Sequence, residues 1–310
     1  MNSSKLIESI NKLRKEKNAI ILAHYYQEPD VQDIADFIGD SLQLSQKAKE
    51  TNANIIVFAG VYFMAETAKI LSPEKKVLIP DKEASCSLAE SINAEQLLNF
   101  KKQYPDHIVV SYVNTTAEVK AVSDIICTSS NAEKIINSIP QDKKIIFTPD
   151  INLGKYLQRK TGREMVIWEG VCIVHEEFSL QKILDLKKEN PDAKIISHPE
   201  CKEPILLVSD FIGSTSALLN FVKTDDAKKY IVATETGILH QMKKAMPDKV
   251  FIPAPPEDST CACNDCKYMK LTSLEKVYLS LKYEQFEVNL PEDIIKKAYI
   301  PIQRMLDLSR

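Results

Sequence analysis

The feature that most constrains this chain is that it repeats itself. Ile34-Ala35-Asp36-Phe37-Ile38-Gly39-Asp40-Ser41 aligns with Leu207-Val208-Ser209-Asp210-Phe211-Ile212-Gly213-Ser214-Thr215, and Val122-Ser123-Asp124-Ile125-Ile126-Cys127-Thr128-Ser129 lies between them. The anchoring aspartates, Asp36, Asp124 and Asp210, are 88 and 86 residues apart. Twelve residues before them stand His24, Tyr112 and His198, and ten before stand Tyr26, Asn114 and Glu200. Five after them stand Ser41, Ser129 and Thr215. One matching column can arise by chance. Several columns at constant offsets read as three homologous units of about 86 residues.

Each unit opens on a short apolar run, such as Ala19–Ala23, Ile108–Tyr112 or Lys194–His198. A polar loop and the aspartate segment follow, then a helical stretch such as Ser41–Thr51. A second apolar run (Ile55–Phe58, Lys144–Phe147 or Tyr230–Ala233) leads to another helix (Tyr62–Ile70, Leu153–Lys160 or Gly237–Ala245). A third short strand closes the unit: Val77–Pro80, Met165–Trp168 or Val250–Pro253. Continuous apolar runs alternating with helices predict parallel βαβ units with strands buried on both faces. The fold expected is therefore α/β: three homologous three-layer α/β/α domains with parallel sheets around a pseudo-threefold axis. The boundaries are expected at 1–85, 86–171 and 172–266, with a tail, 267–310, packing back on the first unit. Linking helices are expected at Cys86–Lys102, Phe178–Glu189 and Leu274–Glu287, and a leading helix at 3–17.

Composition removes several classes of function. Length alone, 310 residues, would suggest about two domains, and the repeat replaces that with three. Only seven glycines occur, and no G-x-G-x-x-G or G-x-x-x-x-G-K-[ST] is present, against a dinucleotide fold or a P-loop. The net charge of -3 lacks the basic footprint of a nucleic-acid binder. No apolar run reaches the ~18 residues that span a bilayer. The polar start lacks the apolar region of a signal peptide, so a cytoplasmic setting with reduced thiols is expected for the seven cysteines.

Those cysteines follow the repeat. The third strand of each unit is followed by a loop that delivers one: Cys86, Cys172, and the run Cys261-Ala262-Cys263-Asn264-Asp265-Cys266. Cys86 and Cys172 each precede the His/Tyr column by 26 residues. Three thiolates converging at the carboxyl ends of parallel strands, where open α/β sheets place ligands, suit an iron–sulfur cluster or zinc. A [4Fe-4S] cluster held by three cysteines leaves one iron open as a Lewis acid. The spacing leaves Cys261, Cys263 and Cys266 as rivals for the third position, and Cys263 with Cys266 also forms a C-x₂-C pair with redox capacity. Cys127 and Cys201 lie outside the column and read as small buried hydrophobes.

The polar columns outline a pocket. His24, Tyr112 and His198 at strand ends can exchange protons, and Tyr26, Asn114 and Glu200 follow on the same side. Ser41, Ser129 and Thr215 fall at helix starts, where hydroxyls and free N–H groups bind carboxylate or phosphate or simply cap the helix. His175, three residues after Cys172, can reach a metal group or a substrate. His107 and His240 fall outside the columns and read as surface or packing residues. Asp36, Asp124 and Asp210 read as structural.

At this point the motifs resemble a known family. Ala23-His24-Tyr25-Tyr26, Pro80-Asp81 with Cys86, Trp168-Glu169-Gly170-Val171-Cys172-Ile173-Val174-His175-Glu176, His198-Pro199-Glu200-Cys201, Gly213-Ser214-Thr215, Glu235-Thr236-Gly237-Ile238 and Cys266-Lys267-Tyr268-Met269-Lys270 are similar to those of the quinolinate synthases. The likeness runs from about residue 19 to the end. It implies condensation of iminoaspartate with dihydroxyacetone phosphate to quinolinate, with release of phosphate and water, on the route to NAD. It implies a [4Fe-4S] cofactor on Cys86, Cys172 and Cys266. It places His24, Ser41, Tyr112, Asn114, Ser129, His198, Glu200 and Thr215 at the substrate, with Glu200, His198, Tyr112 and His24 as the proton-moving set. It also implies a transient partner, the enzyme that supplies iminoaspartate, and neither nucleic acid nor membrane. The rival classes are a zinc-stapled domain that binds a small anion and a ferredoxin-type electron carrier.

Overall fold

The computed structural model describes residues 3–258 and 265–309. Three four-stranded parallel sheets carry the chain, one per repeat. The first holds β1 (Ala19–His24), β2 (Phe37–Gly39), β3 (Ile55–Ala59) and β4 (Lys76–Leu78). The second holds β5 (His107–Tyr112), β6 (Ile125–Cys127), β7 (Lys144–Thr148) and β8 (Met165–Ile167). The third holds β9 (Lys194–Ser197), β10 (Phe211–Ile212), β11 (Lys229–Ala233) and β12 (Val250–Pro253). The spatial orders are β2-β1-β3-β4, β6-β5-β7-β8 and β10-β9-β11-β12, so each unit has the same winding. The central strands are apolar because both faces are covered; every residue of β3 is buried.

The sheets have one strand more than the three expected per unit, because the aspartate segment itself becomes an edge strand. A two- or three-residue edge strand has few ladder bonds of its own, and the aspartate supplies the rest. Asp36 donates its N–H to Ile21 O at 2.9 Å and accepts the Ile21 N–H on Oδ2 at 2.8 Å. Asp124 does the same with Val109 at 3.0 and 2.8 Å, and Asp210 with Ile195 at 2.7 and 2.7 Å. The recurrent aspartate is thus a register clamp, fifteen residues from its partner in all three units.

Two expected helices are shorter than the apolar pattern suggested. The Cys86–Lys102 stretch splits into Ser87–Glu90 and Ala94–Gln103, because Asn93 starts a new helix with a capping box closed by Gln96. The stretch from Leu274 ends at Tyr283, where Glu284 and Phe286 turn left-handed at φ 51° and 60°.

The cores are not equally shared. Units one and two pack into one continuous apolar cluster, from Leu22, Ile56 and Phe58 through Val110, Ile125 and Phe147. The third unit keeps its own clusters around Ile196, Val232 and Met242 and around Ile183, Ile205 and Ile231. The tail divides between them. Leu274, Val277 and Leu281 pack on Leu6 and Ile10 of the first unit. The final helix, Glu292–Leu308, lies on β6 and on the helices Ala117–Ala121 and Tyr62–Leu71, so it covers an edge strand of unit two while touching unit one. No helix among the described residues is long and apolar enough to cross a membrane.

Candidate active site

The carboxyl ends of the three sheets meet at one cavity of about 620 Å³, counted out to its mouth. His24 and Tyr112 are the last residues of β1 and β5, and His198 directly follows β9. All three are buried and line the cavity. So do Ser41, Asn114, Ser129, Glu200 and Thr215, and the cysteines Cys86, Cys172 and Cys266. The polar columns and Cys86, Cys172 and Cys266 therefore line one space. His107 and His240 do not: His107 meets the Tyr104 ring edge-on, and His240 bonds Asp33.

The two histidines are set identically by the local turn. The Tyr26 N–H donates to His24 Nδ1 at 3.2 Å, and the Glu200 N–H to His198 Nδ1 at 3.4 Å. Nδ1 is an acceptor in both, so a neutral ring carries its proton on Nε2. Burial keeps them neutral, pushing His24 down to about 4 and His198 to about 3. His198 Nε2–H then donates to Ser129 Oγ at 3.2 Å.

Glu200 is the hub. Its Oε1 accepts from Tyr112 Oη at 2.5 Å, and its Oε2 lies 2.9 Å from His175 Nδ1. Burial works to raise its pKa, while a proton on His198 or His175 and the hydrogen bonds donated by His175 and Tyr112 pull it below the usual carboxylate range. Burial and the facing carboxylate keep the Tyr112 phenol protonated, well above its ordinary value. With Nδ1–H of His175 given to Glu200, Nε2 accepts from Thr234 Oγ1 at 3.0 Å. Thr234 accepts from Tyr26 Oη at 2.7 Å, and Tyr26 from Thr215 Oγ1 at 2.9 Å. One hydrogen-bonded chain thus runs from Tyr112 through Glu200, His175 and Thr234 to Tyr26 and Thr215.

In units one and three the hydroxyl column is released from capping by the residue before it. Asp40 caps the Ser41–Glu50 helix and Ser214 the Thr215–Thr224 helix. In unit two, Asn131 Oδ1 takes the Thr128 N–H at 2.7 Å. Ser41 and Thr215 are first residues of their helices, and Ser129 sits in the turn before Ala132. Asn114 Oδ1 is buried without a partner, an acceptor left for a ligand. No lysine or arginine lines the cavity among the described residues, so anions here must be met by hydroxyls, N–H groups and neutral imidazoles.

The thiols form a set. Cys86 and Cys172 stand at the N-caps of the one-turn helices Ser87–Glu90 and Ile173–Glu176, and Cys266 stands just before Met269–Leu271. Burial pushes Cys86 up to about 12, with the N–H groups of Ala89 and Leu88 pulling it back and Cys266 adding to the rise. Cys172 is raised well above its ordinary value by burial and by Glu200, with smaller contributions from Cys86 and Cys266. The three sulfurs thus act on one another electrostatically, and none is in a disulfide. Three half-buried soft donors with backbone N–H groups beside them suit a cationic thiolate-bound centre, which would offset their partial burial. Cys172, His175 and Glu200 also bring donor atoms within 4.8 Å of one another, close enough to hold a metal ion. Cys261 and Cys263, the rivals for the third position, lie outside the described residues.

Known proteins resemble this chain over nearly its full length. The sequence profile of the family described as quinolinate synthetase A protein matches residues 8–307. The chain belongs to this family. A quinolinate synthase of Thermosynechococcus vestitus is 58% identical over 304 residues, covering 98% of this chain and 95% of its own length. Those of Microcystis aeruginosa and Synechocystis are 59% and 58% identical over 304 residues, again covering 98% of this chain and 95% of theirs. The chain is an enzyme of the quinolinate synthase type.

Some residues of this quinolinate synthetase A site were not assigned from the columns. Tyr26 stood in a column but was left out of the proton-moving set, and its Oη bridges Thr215 and Thr234. Glu235 is buried in the cavity wall and accepts the N–H groups of Gly237 at 2.7 Å and Cys266 at 3.2 Å, with Lys270 at 2.9 Å. It ties the third cysteine's loop to the end of β11. A signal for it existed: Val61, Asp150 and Glu235 each stand two residues beyond the second central strand, and all are buried.

Proposed function

We propose that this enzyme condenses iminoaspartate with dihydroxyacetone phosphate to quinolinate, releasing phosphate and water, in NAD biosynthesis in the cytoplasm. The observation that carries the reading is the meeting, in one cavity, of three thiols with a buried carboxylate–phenol–imidazole array and three hydroxyls, two at helix starts and one in the turn before a helix. Cys86, Cys172 and Cys266 would hold a [4Fe-4S] cluster. When bound, the cluster supplies Lewis acidity at the iron that three cysteines leave without a protein ligand.

The chain's own residues then have distinct work. Both substrates are anionic, and Ser41, Ser129, Thr215 and Asn114 hold their carboxylate and phosphate groups without a fixed cation. Glu200, ionised and hydrogen-bonded to Tyr112 Oη, takes a proton from carbon next to a carbonyl or imine. Tyr112, protonated throughout, and His198 Nε2–H return protons to oxygen or nitrogen as bonds rearrange. His24 presents a second neutral Nε2–H donor. The chain from Glu200 to Tyr26 gives protons a route across the cavity.

The test is anaerobic purification followed by iron, sulfide and zinc analysis. A brown protein that loses both iron and activity in each of Cys86→Ser, Cys172→Ser and Cys266→Ser is the expected result. A colourless protein with one zinc would overturn the reading in favour of a zinc-stapled anion binder. Retention of iron in one variant would remove that cysteine from the ligand set.

A further inference from the structure

Each of the three hydroxyl residues at the cavity has a neighbour that ties it to the other units. Ser41 follows Asp40, Ser129 precedes Ser130, and Thr215 precedes Ser216. Ser130 Oγ donates to Asp40 Oδ2 at 2.6 Å, and Ser216 Oγ donates to the same oxygen. The other oxygen, Oδ1, accepts the N–H groups of Leu42 at 3.1 Å and Gln43 at 3.0 Å. Asp40 itself is 4% exposed, and its N–H donates to Gln43 Oε1 at 3.1 Å.

We propose that Asp40 is a positioning residue: its carboxylate clasps units two and three to unit one and so sets the spacing of Ser41, Ser129 and Thr215. This rests on the reading that those hydroxyls hold the substrates' anionic groups. A carboxylate suits the role because it alone among side chains of this size accepts four donors without offering one. Two of the four are the first free amides of its own helix, which hold the carboxylate rigid, and the other two come from the neighbouring units. The clasp lies one residue along from each hydroxyl, so a loosened clasp widens the anion site directly. Ser130 and Ser216 are themselves repeat equivalents, while unit one has Leu42 at that position, so a single acid serves both serines.

The double variant Ser130→Ala/Ser216→Ala separates the clasp from the helix cap, since Asp40 and its capping box remain. In the iron-loaded enzyme we expect KM for dihydroxyacetone phosphate to rise about tenfold, a loss of roughly 1.4 kcal/mol in binding, with the larger change in KM and not in kcat. Amide hydrogen exchange in residues 128–132 and 214–218 should accelerate, a readout independent of turnover. Asp40→Asn, which keeps an oxygen for the cap but turns an amide toward the two serines, should move KM in the same direction. Unchanged KM in the double variant overturns the proposal. Ser129→Ala run in parallel distinguishes the two failures. If it raises KM while the double variant does not, only the clasp is wrong; if neither does, the hydroxyl reading falls with it.

Discussion

Two kinds of repeated position occupy each sheet, and they have diverged to different degrees. Asp36, Asp124 and Asp210 are identical, and each makes the same pair of bonds to a residue of the first strand. The cavity positions are not identical: His24, Tyr112 and His198 share one place, and Tyr26, Asn114 and Glu200 another. A backbone clamp performs one task in every unit, so one residue type satisfies it. A cavity shared by three units holds something without threefold symmetry, so each unit contributes a different group to the same place. Constancy of the aspartate column marks structure, divergence in the His24 and Tyr26 columns marks proton chemistry, and the constant cysteines and hydroxyls mark groups that all three units contribute alike.

The sharpest test of that contrast is Glu200→Gln. It preserves shape and an acceptor for Tyr112 but removes the base, and kcat should fall by about 10² to 10⁴ while iron content stays at the wild-type level. A fall of less than tenfold would mean that Glu200 only orients Tyr112 and His175.

His24 tests the cavity side through stability. Its ring is pushed down to about 4 by burial, against an ordinary value of 6.5. Below pH 6.5 the unfolded chain takes up a proton that the folded one refuses until about pH 4, so stability falls as pH drops through that window. The full effect is about 3 kcal/mol for His24, and His198, pushed further down to about 3, adds a larger share of its own. His24→Gln should remove one share, so that its urea midpoint declines less steeply between pH 6.5 and 4.5 than the wild type's. Identical slopes would show that the ring is solvated in solution.

Much of this was legible in the chain because the repeat supplied its own alignment. Three units and the polar columns followed from constant offsets, and parallel sheets from apolar runs alternating with helices, while the choice of Cys266 came only with the family resemblance. The fourth strand of each sheet was not legible, since Phe37–Gly39 or Phe211–Ile212 is too short for a hydrophobic pattern and depends on the aspartate clamp. The break at Ser91 was hidden because apolar residues continue past it. Asp40, His175 and Glu235 were harder still: their partners Ser216, Thr234 and Cys266 come from other units or distant segments, and no local spacing encodes such contacts.

On the clamp side, Asp210→Ala should cost about 1–3 kcal/mol, the penalty for stranding the buried Ile195 N–H on β9. Unlike the cavity variants, it should leave KM and kcat within about twofold of wild type once folded. A large change in KM with unaltered stability would move this column from structure to chemistry. Asp36 is less clean as a probe, because Arg14 also binds it at 2.8 Å.

The smallest effect comes from a pair that the repeat itself has varied. Ser197 Oγ lies 2.8 Å from Ser209 Oγ, and Ser111 Oγ 2.6 Å from Ser123 Oγ, while unit one carries Ala23 and Ala35 at the same places. Ser209 donates its hydroxyl hydrogen to Ile205 O at 2.7 Å, so Ser197 is the donor within the pair. Ser209→Ala therefore strands the fully buried Ser197 hydroxyl and should cost about 1 kcal/mol or more. Ser197→Ala/Ser209→Ala replaces both partners with the apolar pair that unit one already accommodates, and should lie within about 0.5 kcal/mol of wild type. The double variant should thus be more stable than the single one, with activity unchanged in both. Additive losses would mean that the two hydroxyls contribute to unit three separately, and that unit one has adjusted its packing around the alanines.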